Sequence, residues 1–363
     1  MLFEKIEIIK RVGGGRTFGR TFGRTMDYKP AIIDALTVLY KRDLANKEPF
    51  KARAYQQVIQ QLKYRDEPVQ SYEDLQGMKG LGEKIQKKIK EILETGQLAT
   101  AEKAKEVYHL ESLDVFQKIY GVGPAKATAL VGAGYRTIQD LRDAIKGDKT
   151  LLNTNQTVGL QYYEALLERI PRAEMVEHED IIKHYVKDAE LVGSYRRRAA
   201  DSGDIDVLIR VPTGTTASQC KEQLAKYVKQ LKEVGYIQEV LALGGHKCMA
   251  ICRTDDTGTA RRLDLLMTPE EEYAYALLYF TGSDRFNVAF RQHALKKGLT
   301  LNEHRMEWVQ VMRSEVPALR SEKDIFDYLG LRYVEPWDRV TQNVEEKPKK
   351  PVLANGKKKE SKE

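Results

Sequence analysis

The sequence predicts a multidomain α+β protein, with an all-α front followed by a half built on a β-sheet. Three observations carry this. Apolar residues recur at helical spacing from Tyr28 to about residue 170. Around Glu190 the period changes to two. Two Gly-x-Gly turns interrupt the helical front, each between amphipathic segments.

Residues 1–27 hold Gly13-Gly14-Gly15 and a duplicated Thr-Phe-Gly-Arg (Thr17–Arg20, Thr21–Arg24), which predicts a flexible basic arm. From Tyr28 to Leu98 three stripes read as helices. They are Ile32, Ile33, Leu36 and Leu39; then Phe50, Ala54, Val58 and Leu62; then Ile85, Ile89, Ile92 and Leu93, stopped near Gly96. Residues 110–170 are helical again. Short strands follow near 190–195, 205–211, 237–243, 248–253 and 262–267, with helices at about 218–234 and 269–280. Residues 340–363 lack a periodic apolar pattern and are expected to stay unstructured.

The two turns form an internal repeat. Gly80-Leu81-Gly82 precedes a helix beginning near Glu83, and Gly121-Val122-Gly123-Pro124 precedes one near Ala125. A glycine bend before a helix turns backbone N–H groups outward, where they hold a phosphate oxygen. Such contacts carry no sequence information. Lys84 and Lys126 follow the turns and can assist by charge.

The sheet half carries the densest chemistry. In Gly203-Asp204-Ile205-Asp206-Val207-Leu208-Ile209 the apolar run reads as a strand, so Asp204 and Asp206 point to one face. A third carboxylate, Asp264, lies in the strand-like run Arg261–Leu266. Three converging carboxylates near Gly193-Ser194 and Arg196-Arg197 suit Mg²⁺-dependent attack on a nucleotide phosphate.

The 363-residue chain has a net charge of +7, and its distribution is uneven. Residues 1–110 carry +6 and residues 340–363 carry +3, leaving the middle near −2. A basic front joined to a near-neutral centre fits a polyanion-binding module beside a carboxylate-rich catalytic one. No apolar run is long enough to span a bilayer, so no membrane partner is expected. Cys220, Cys248 and Cys252 make no disulfide framework and point to a reducing compartment. His246, Cys248 and Cys252 lack the fourth ligand that structural zinc wants.

The blocks Gly193–Arg197 with Gly203–Asp206, Arg261–Leu266, Tyr279–Asp284 and Gly298–Glu303 resemble the family X DNA polymerases. Within that family the beta type is the closest expectation, in the minimal lyase-plus-polymerase form without a BRCT domain. The resemblance runs from about Tyr28 to Arg339. It implies a 5′-deoxyribose-phosphate lyase domain at 28–108, a helical DNA-binding subdomain at 109–170, a catalytic palm at 171–273 and a nascent-base-pair subdomain at 274–339. The flexible arm (1–27) and the basic tail (340–363) flank them.

The resemblance also implies roles. Asp204 and Asp206 hold two Mg²⁺ ions, with Mn²⁺ as a substitute, while Asp264 touches only the catalytic ion and accepts the primer proton. Arg262 tempers the charge of Asp264. Ser194 and Arg197 bind the triphosphate of a dNTP, with Arg169 and Gly203 near it. Tyr279, Phe280 and Gly282 wall off the sugar, Asp284 and Asn287 meet the incoming base, and Arg291 the template. Lys247 contacts DNA. Backbone carbonyls of Met78, Leu81, Ile119 and Val122 hold a monovalent cation, Na⁺ or K⁺, at the two hairpins. Gly80, Gly82, Lys84, Gly121 and Gly123 bind the DNA backbone.

In the front, Lys88 matches the lyase nucleophile, an amine that forms a Schiff base with the sugar aldehyde. The helical wheel supports it independently. Lys88 lies about 40° from Ile92 and about 60° from Ile85, whereas Lys87 falls on the wet face. Partial burial and Lys84 are expected to depress its pKa. Lys51 and Tyr55 match positions that bind the 5′-phosphate.

The implied function is gap-filling DNA synthesis with lyase activity in base excision repair, by a monomer acting on gapped or nicked duplex DNA. The compartment is nuclear or otherwise DNA-containing, with a viral setting as the alternative. Lys349-Lys350 and Lys357-Lys358-Lys359 form either a nuclear address or a solubilising or DNA-grazing tail. Two other readings stand beside this one: a template-independent nucleotidyltransferase and a non-catalytic DNA-binding scaffold. Three departures from the family pattern are noted. Arg198 replaces a usual glycine, His304 a usual tyrosine, and Arg285 follows Asp284.

Overall fold

The computed structural model describes residues 26–46, 48–310 and 315–348. The glycine-arginine arm, apart from Met26 and Asp27, and the two lysine clusters of the tail lie outside them. The chain divides after Tyr108 into two units.

The first unit is helical. Pro30 and Pro49 open its first two helices, Lys29–Ala45 and Pro49–Tyr64, where a missing N–H costs nothing. The helix Glu83–Thr95 follows the first glycine turn and stops at Gly96, which adopts the left-handed conformation. Ile32, Leu36, Leu39, Val58, Leu62, Ile89 and Ile92 fill the core. One predicted stripe is rotated. Phe50 is 83% exposed, and the second helix buries Ala52, Tyr55, Val58, Ile59 and Leu62 instead. Phe50 sits in the first turn, where the apolar pattern overran the packed surface.

The second unit begins with short helices, among them Leu110–Gln117, Pro124–Gly132, Ile138–Gly147 and Thr154–Gln161. Capping boxes start the last two, Thr137 with Asp140 and Asn153 with Gln156. A Cβ on Gly159 would lie 2.6 Å from the Tyr120 carbonyl oxygen, so only glycine lets this helix press on the second hairpin turn. Gln156 Nε2 then donates to the Gly121 carbonyl at 2.9 Å.

A five-stranded sheet follows, ordered Ala189–Leu191, Ile205–Val211, Arg261–Pro269, Lys247–Cys252, Ile237–Leu243. Its second and third strands in that order are parallel and pair Asp206 with Asp264. The other pairs are antiparallel. Ile205, Val207, Ile209, Leu263 and Leu265 point to one face, under the helices Arg172–Tyr185 and Ala217–Glu233. On the opposite face Leu208 packs beneath Tyr273 and Ala276 of the helix Glu270–Thr281. Side chains alternate, so Asp206 lies on that second face, one pleat before Leu208.

The strand expected near 190–195 ends at Leu191, and Gly193–Arg196 is a single helical turn. Gly193 has φ +61°, a bend that ends the strand. The C-terminal part packs the helices Asp284–Lys296 and Glu322–Tyr328 around Phe286, Phe290 and Phe326. The tail expected to be unstructured from residue 340 instead returns: Leu331 bridges Glu346, and Lys347 N–H donates to the Gly330 carbonyl at 2.8 Å. These are backbone bonds, which leave no apolar signature. Among the described residues no helix is long and apolar enough to cross a membrane.

Candidate active site

Parallel register places Asp206 beside Asp264, and two residues earlier Asp204 meets Arg262 in an ion pair. Burial and the neighbouring Asp264 raise the Asp206 pKa to about 6, against a partial counter-effect from Lys247. The carboxylates are answered by side-chain cations. Arg262 pairs with Asp204, and Lys247 Nζ sits 2.9 Å from Asp264 Oδ2. Lys247, expected to face DNA, thus touches the carboxylate site. Asp204 is drawn to Arg262, and among the described residues no three acidic, histidine or cysteine groups converge into a ready-made metal cluster. Yet Asp264 Oδ1 is buried without a hydrogen-bond partner. An orphaned buried carboxylate oxygen beside a second carboxylate is a donor set suited to a hard cation.

The Gly193–Arg196 turn abuts this face. A Cβ on Gly193 would approach Asp206 Oδ2 to 2.8 Å, so glycine is what allows the turn so close. Ser194 Oγ donates to Ser202 Oγ at 2.9 Å. Arg197 Nη1 donates to the Thr281 carbonyl at 2.7 Å, and burial lowers its pKa although Asp284 opposes this. Arg169 pairs with Asp201 at 2.6 Å and lies where a Cβ of Gly203 would be, 2.9 Å from its Nη1. Ser194, Arg197, Arg169 and Gly203 therefore all border the sheet end that carries the aspartates.

Beyond the turn, Tyr279 and Phe280 contact each other edge to face at 5.1 Å. Gly282, at φ +67°, ends their helix. Asn287 Nδ2 donates to the Tyr279 carbonyl at 2.7 Å, and the Arg291 guanidinium lies 5.0 Å from the Tyr279 ring. Arg291 also reaches Glu303 at 3.5 Å, and His304 Nδ1 lies 2.7 Å from Glu272 Oε2.

Both hairpin turns share one geometry. Gly80 and Gly121 have φ of +87° and +78°. Gly82 and Gly123 are extended residues capping the next helix without a side-chain cap, and open space surrounds the position of an added Cβ on each. No side-chain cap therefore answers the first-turn N–H groups of either helix. The carbonyls expected to hold a monovalent ion are partly engaged: Leu81 accepts from Gln86 Nε2 at 2.9 Å, and Ile119 from Val122 N–H at 3.0 Å. Met78 N–H donates to Leu75. Lys126 does not attend its turn, because its Nζ donates to the Leu151 carbonyl at 2.5 Å. The second turn, Gly203 and Arg262 line a cavity of about 490 Å³.

In the first unit Lys88 is half-buried, and Lys87 is exposed in an ion pair with Glu83. Desolvation lowers the Lys88 pKa first, then Arg42, then Lys84. Its Nζ donates to the Lys84 carbonyl at 3.3 Å. Tyr55 is buried and its phenol pKa is raised by that burial and by Asp43. Lys51 is exposed and paired with Glu48 at 2.7 Å.

Comparison with known families assigns four consecutive stretches. The helix-hairpin-helix domain matches residues 27–98, the fingers domain of DNA polymerase lambda 114–167, the DNA polymerase beta palm 169–270 and the DNA polymerase beta thumb 276–340. This chain belongs to the family X DNA polymerases. Among curated family members, rat DNA polymerase lambda is 31% identical over 86% of this chain and 56% of its own length. The Arabidopsis thaliana DNA polymerase lambda is 30% identical over 75% of this chain and 54% of its own. The chicken DNA nucleotidylexotransferase is 29% identical over 75% and 60%. The chain thus spans little more than half the length of the family X relatives it matches.

These matches correct one expectation. The chain relates to the lambda and nucleotidylexotransferase branch rather than specifically to the beta type, and the fingers match decides it. The palm and thumb that suggested beta do match beta-named models, so those motifs alone do not separate the branches. Sequence reasoning also missed Arg42 beside Lys88, Lys247 on Asp264, and Trp337 against Arg198, whose guanidinium carbon lies 3.7 Å from the ring centroid. The glycine departure at 198 flagged one partner of that last contact, while nothing flagged the other.

Proposed function

We propose that this family X chain is a template-directed DNA polymerase that fills short gaps, with 5′-deoxyribose-phosphate lyase activity in its first unit. One observation carries the polymerase reading: Asp206 and Asp264 are register partners beside a Gly-Ser-Tyr-Arg-Arg turn. Mg²⁺ fits Asp204, Asp206 and Asp264, given the orphaned Asp264 oxygen, and when bound supplies charge for the triphosphate and acidity for the primer hydroxyl. Asp264 is the proton acceptor. Lys247 and Arg262 hold the carboxylates in place until the cations arrive. Ser194 and Arg197 bind the triphosphate, with Arg169 steadied by Asp201 behind them. Tyr279, Phe280 and Gly282 bound the sugar, Asp284 and Asn287 the base, and Arg291 the template.

The glycine-capped helices bind DNA phosphates through backbone N–H groups, with a monovalent cation at each turn. Lys88 is the lyase nucleophile, because burial and two neighbouring cations favour its neutral form. The subdomain limits at 108, 170, 273 and 339, and a nuclear site of action, belong to this same reading. Primer extension on a one-nucleotide gap carrying a 5′-sugar phosphate tests both modules. Incorporation followed by sugar release is expected. Failure of either step removes the corresponding module from the reading.

A second reading is template-independent nucleotide addition, favoured by the likeness to the chicken DNA nucleotidylexotransferase. Equal extension rates on gapped and single-stranded DNA would select it.

A further inference from the structure

Three consecutive arginines leave the Gly193–Arg196 turn, and each reaches the C-terminal part of the same unit. Arg196 binds Thr281 Oγ1 at 2.6 Å and Glu322 at 2.9 Å. Arg197 binds the Thr281 carbonyl. Arg198 lies over the ring of Trp337 at 3.7 Å. The last contact is unlike the other two. It is made at the surface, since Arg198 is exposed and Trp337 is 38% exposed. It is also made by a residue in an unfavourable conformation. Arg198 has φ +60°, a region where a Cβ crowds the following carbonyl oxygen.

A side chain held there needs a compensating contact, and a guanidinium stacked on an indole provides one. Arg198 N–H donates to the Tyr195 carbonyl at 2.9 Å, and Ala199 N–H to the Ser194 carbonyl at 3.1 Å. Those two bonds close the turn that presents Ser194 and Arg197. At the other end Trp337 is fixed by its neighbours. Pro336 and Arg339 are buried, and the Arg339 carbonyl accepts from Ser283 N–H at 3.0 Å.

We propose that Arg198 and Trp337 form a clasp that holds the Ser194–Arg197 turn against residues 281–283 and thereby sets nucleotide affinity. Both are positioning residues. The proposal rests on the reading that Ser194 and Arg197 bind the triphosphate of the incoming nucleotide. Arg198→Gly is an unusually clean probe, because glycine relieves the backbone while deleting the stack.

Steady-state insertion of one nucleotide into gapped DNA is measured for the full chain, for Arg198→Gly, Trp337→Leu and their double variant, and for Arg197→Ala. Each clasp variant is expected to raise KM for the nucleotide about three- to fivefold, with kcat within about twofold. The double variant is expected to match the singles, and Arg198→Gly to melt no lower than the parent. Unchanged KM in Arg198→Gly overturns the clasp. So does a silent Trp337→Leu beside an affected Arg198→Gly, which makes Arg198 a direct phosphate contact, and so do effects that multiply in the double variant. An unchanged KM in Arg197→Ala defeats the triphosphate reading instead.

Discussion

Asp206 in the sheet and Lys88 in the first unit have been moved off their ordinary pKa values by one force acting in opposite directions. Burial disfavours charge, so the carboxyl rises to about 6 and the ammonium falls. Like-charged neighbours push each further the same way: Asp264 on Asp206, Arg42 and Lys84 on Lys88. What differs is how the rest of each site is balanced. The sheet carboxylates are met by Lys247 and Arg262, so the site already accommodates positive charge. The Lys88 amine donates to a carbonyl oxygen, and Asp43 and Glu91 only partly offset the burial and the cations that favour its neutral form. One site is arranged to receive a cation and the other to release a proton, and the burial is common to both.

The largest test of that contrast removes the sheet pair. Asp264→Asn is expected to lower nucleotide incorporation on the order of a thousandfold while gapped-DNA binding persists. Retained incorporation in a filter or gel assay would sink the carboxylate assignment. Lys88→Ala is the matching test in the other unit. Borohydride trapping on an incised abasic site should fall about a hundredfold with polymerisation intact, and trapping at the parental level would transfer the role to another amine.

Stability gives a third test, with the sign opposite to most carboxylates. The folded pKa of Asp206, about 6, exceeds its ordinary 3.8. The native state therefore binds the proton more readily than the unfolded chain. The cost of the charge is fully present above pH 6, and stability is gained as pH falls from 6 toward 3.8. Asp206→Asn should raise the melting temperature of the metal-free protein by about 2–4 °C at pH 7.5. The gain should shrink as pH falls through that window. A gain independent of pH would refute the burial account. The smallest expected effect is at Arg42. Arg42→Gln keeps a donor for Asp43 but deletes a positive charge, so the Lys88 pKa should rise. Trapping should then slow about two- to fivefold near pH 7 and recover at higher pH, and an unshifted pH profile would assign the depression to desolvation alone.

Much of this was legible in the chain because it follows from periodicity. The alternation in Ile205–Ile209 places Asp206 on the face opposite Val207, and the wheel angle of Lys88 anticipates its half-burial. Legibility ended where a contact joins distant segments. Nothing in the spacing of Arg262 pairs it with Asp204, because that requires the parallel register of two strands. The exposure of Phe50 was hidden because helical period cannot tell where packing stops. The return of Glu346 and Lys347 was hidden because backbone bonds are blind to side-chain type. The branch of the family was misread because the motifs that suggested beta lie in the palm and thumb, whereas the stretch that decides it, 114–167, was read only as helices.

Glu322 is 5% exposed and shared between Arg196 of the sheet unit's turn and Arg339, which is wholly buried. The segment matched as a thumb is thus not a transplantable cassette. A chimaera that carries residues 276–340 onto a foreign scaffold without an arginine at 196 leaves that acid half-neutralised. Stranding such a group costs about 3–5 kcal/mol, enough to consume much of a small domain's margin. Recombination between relatives should therefore succeed only when the two ends of this bridge travel together.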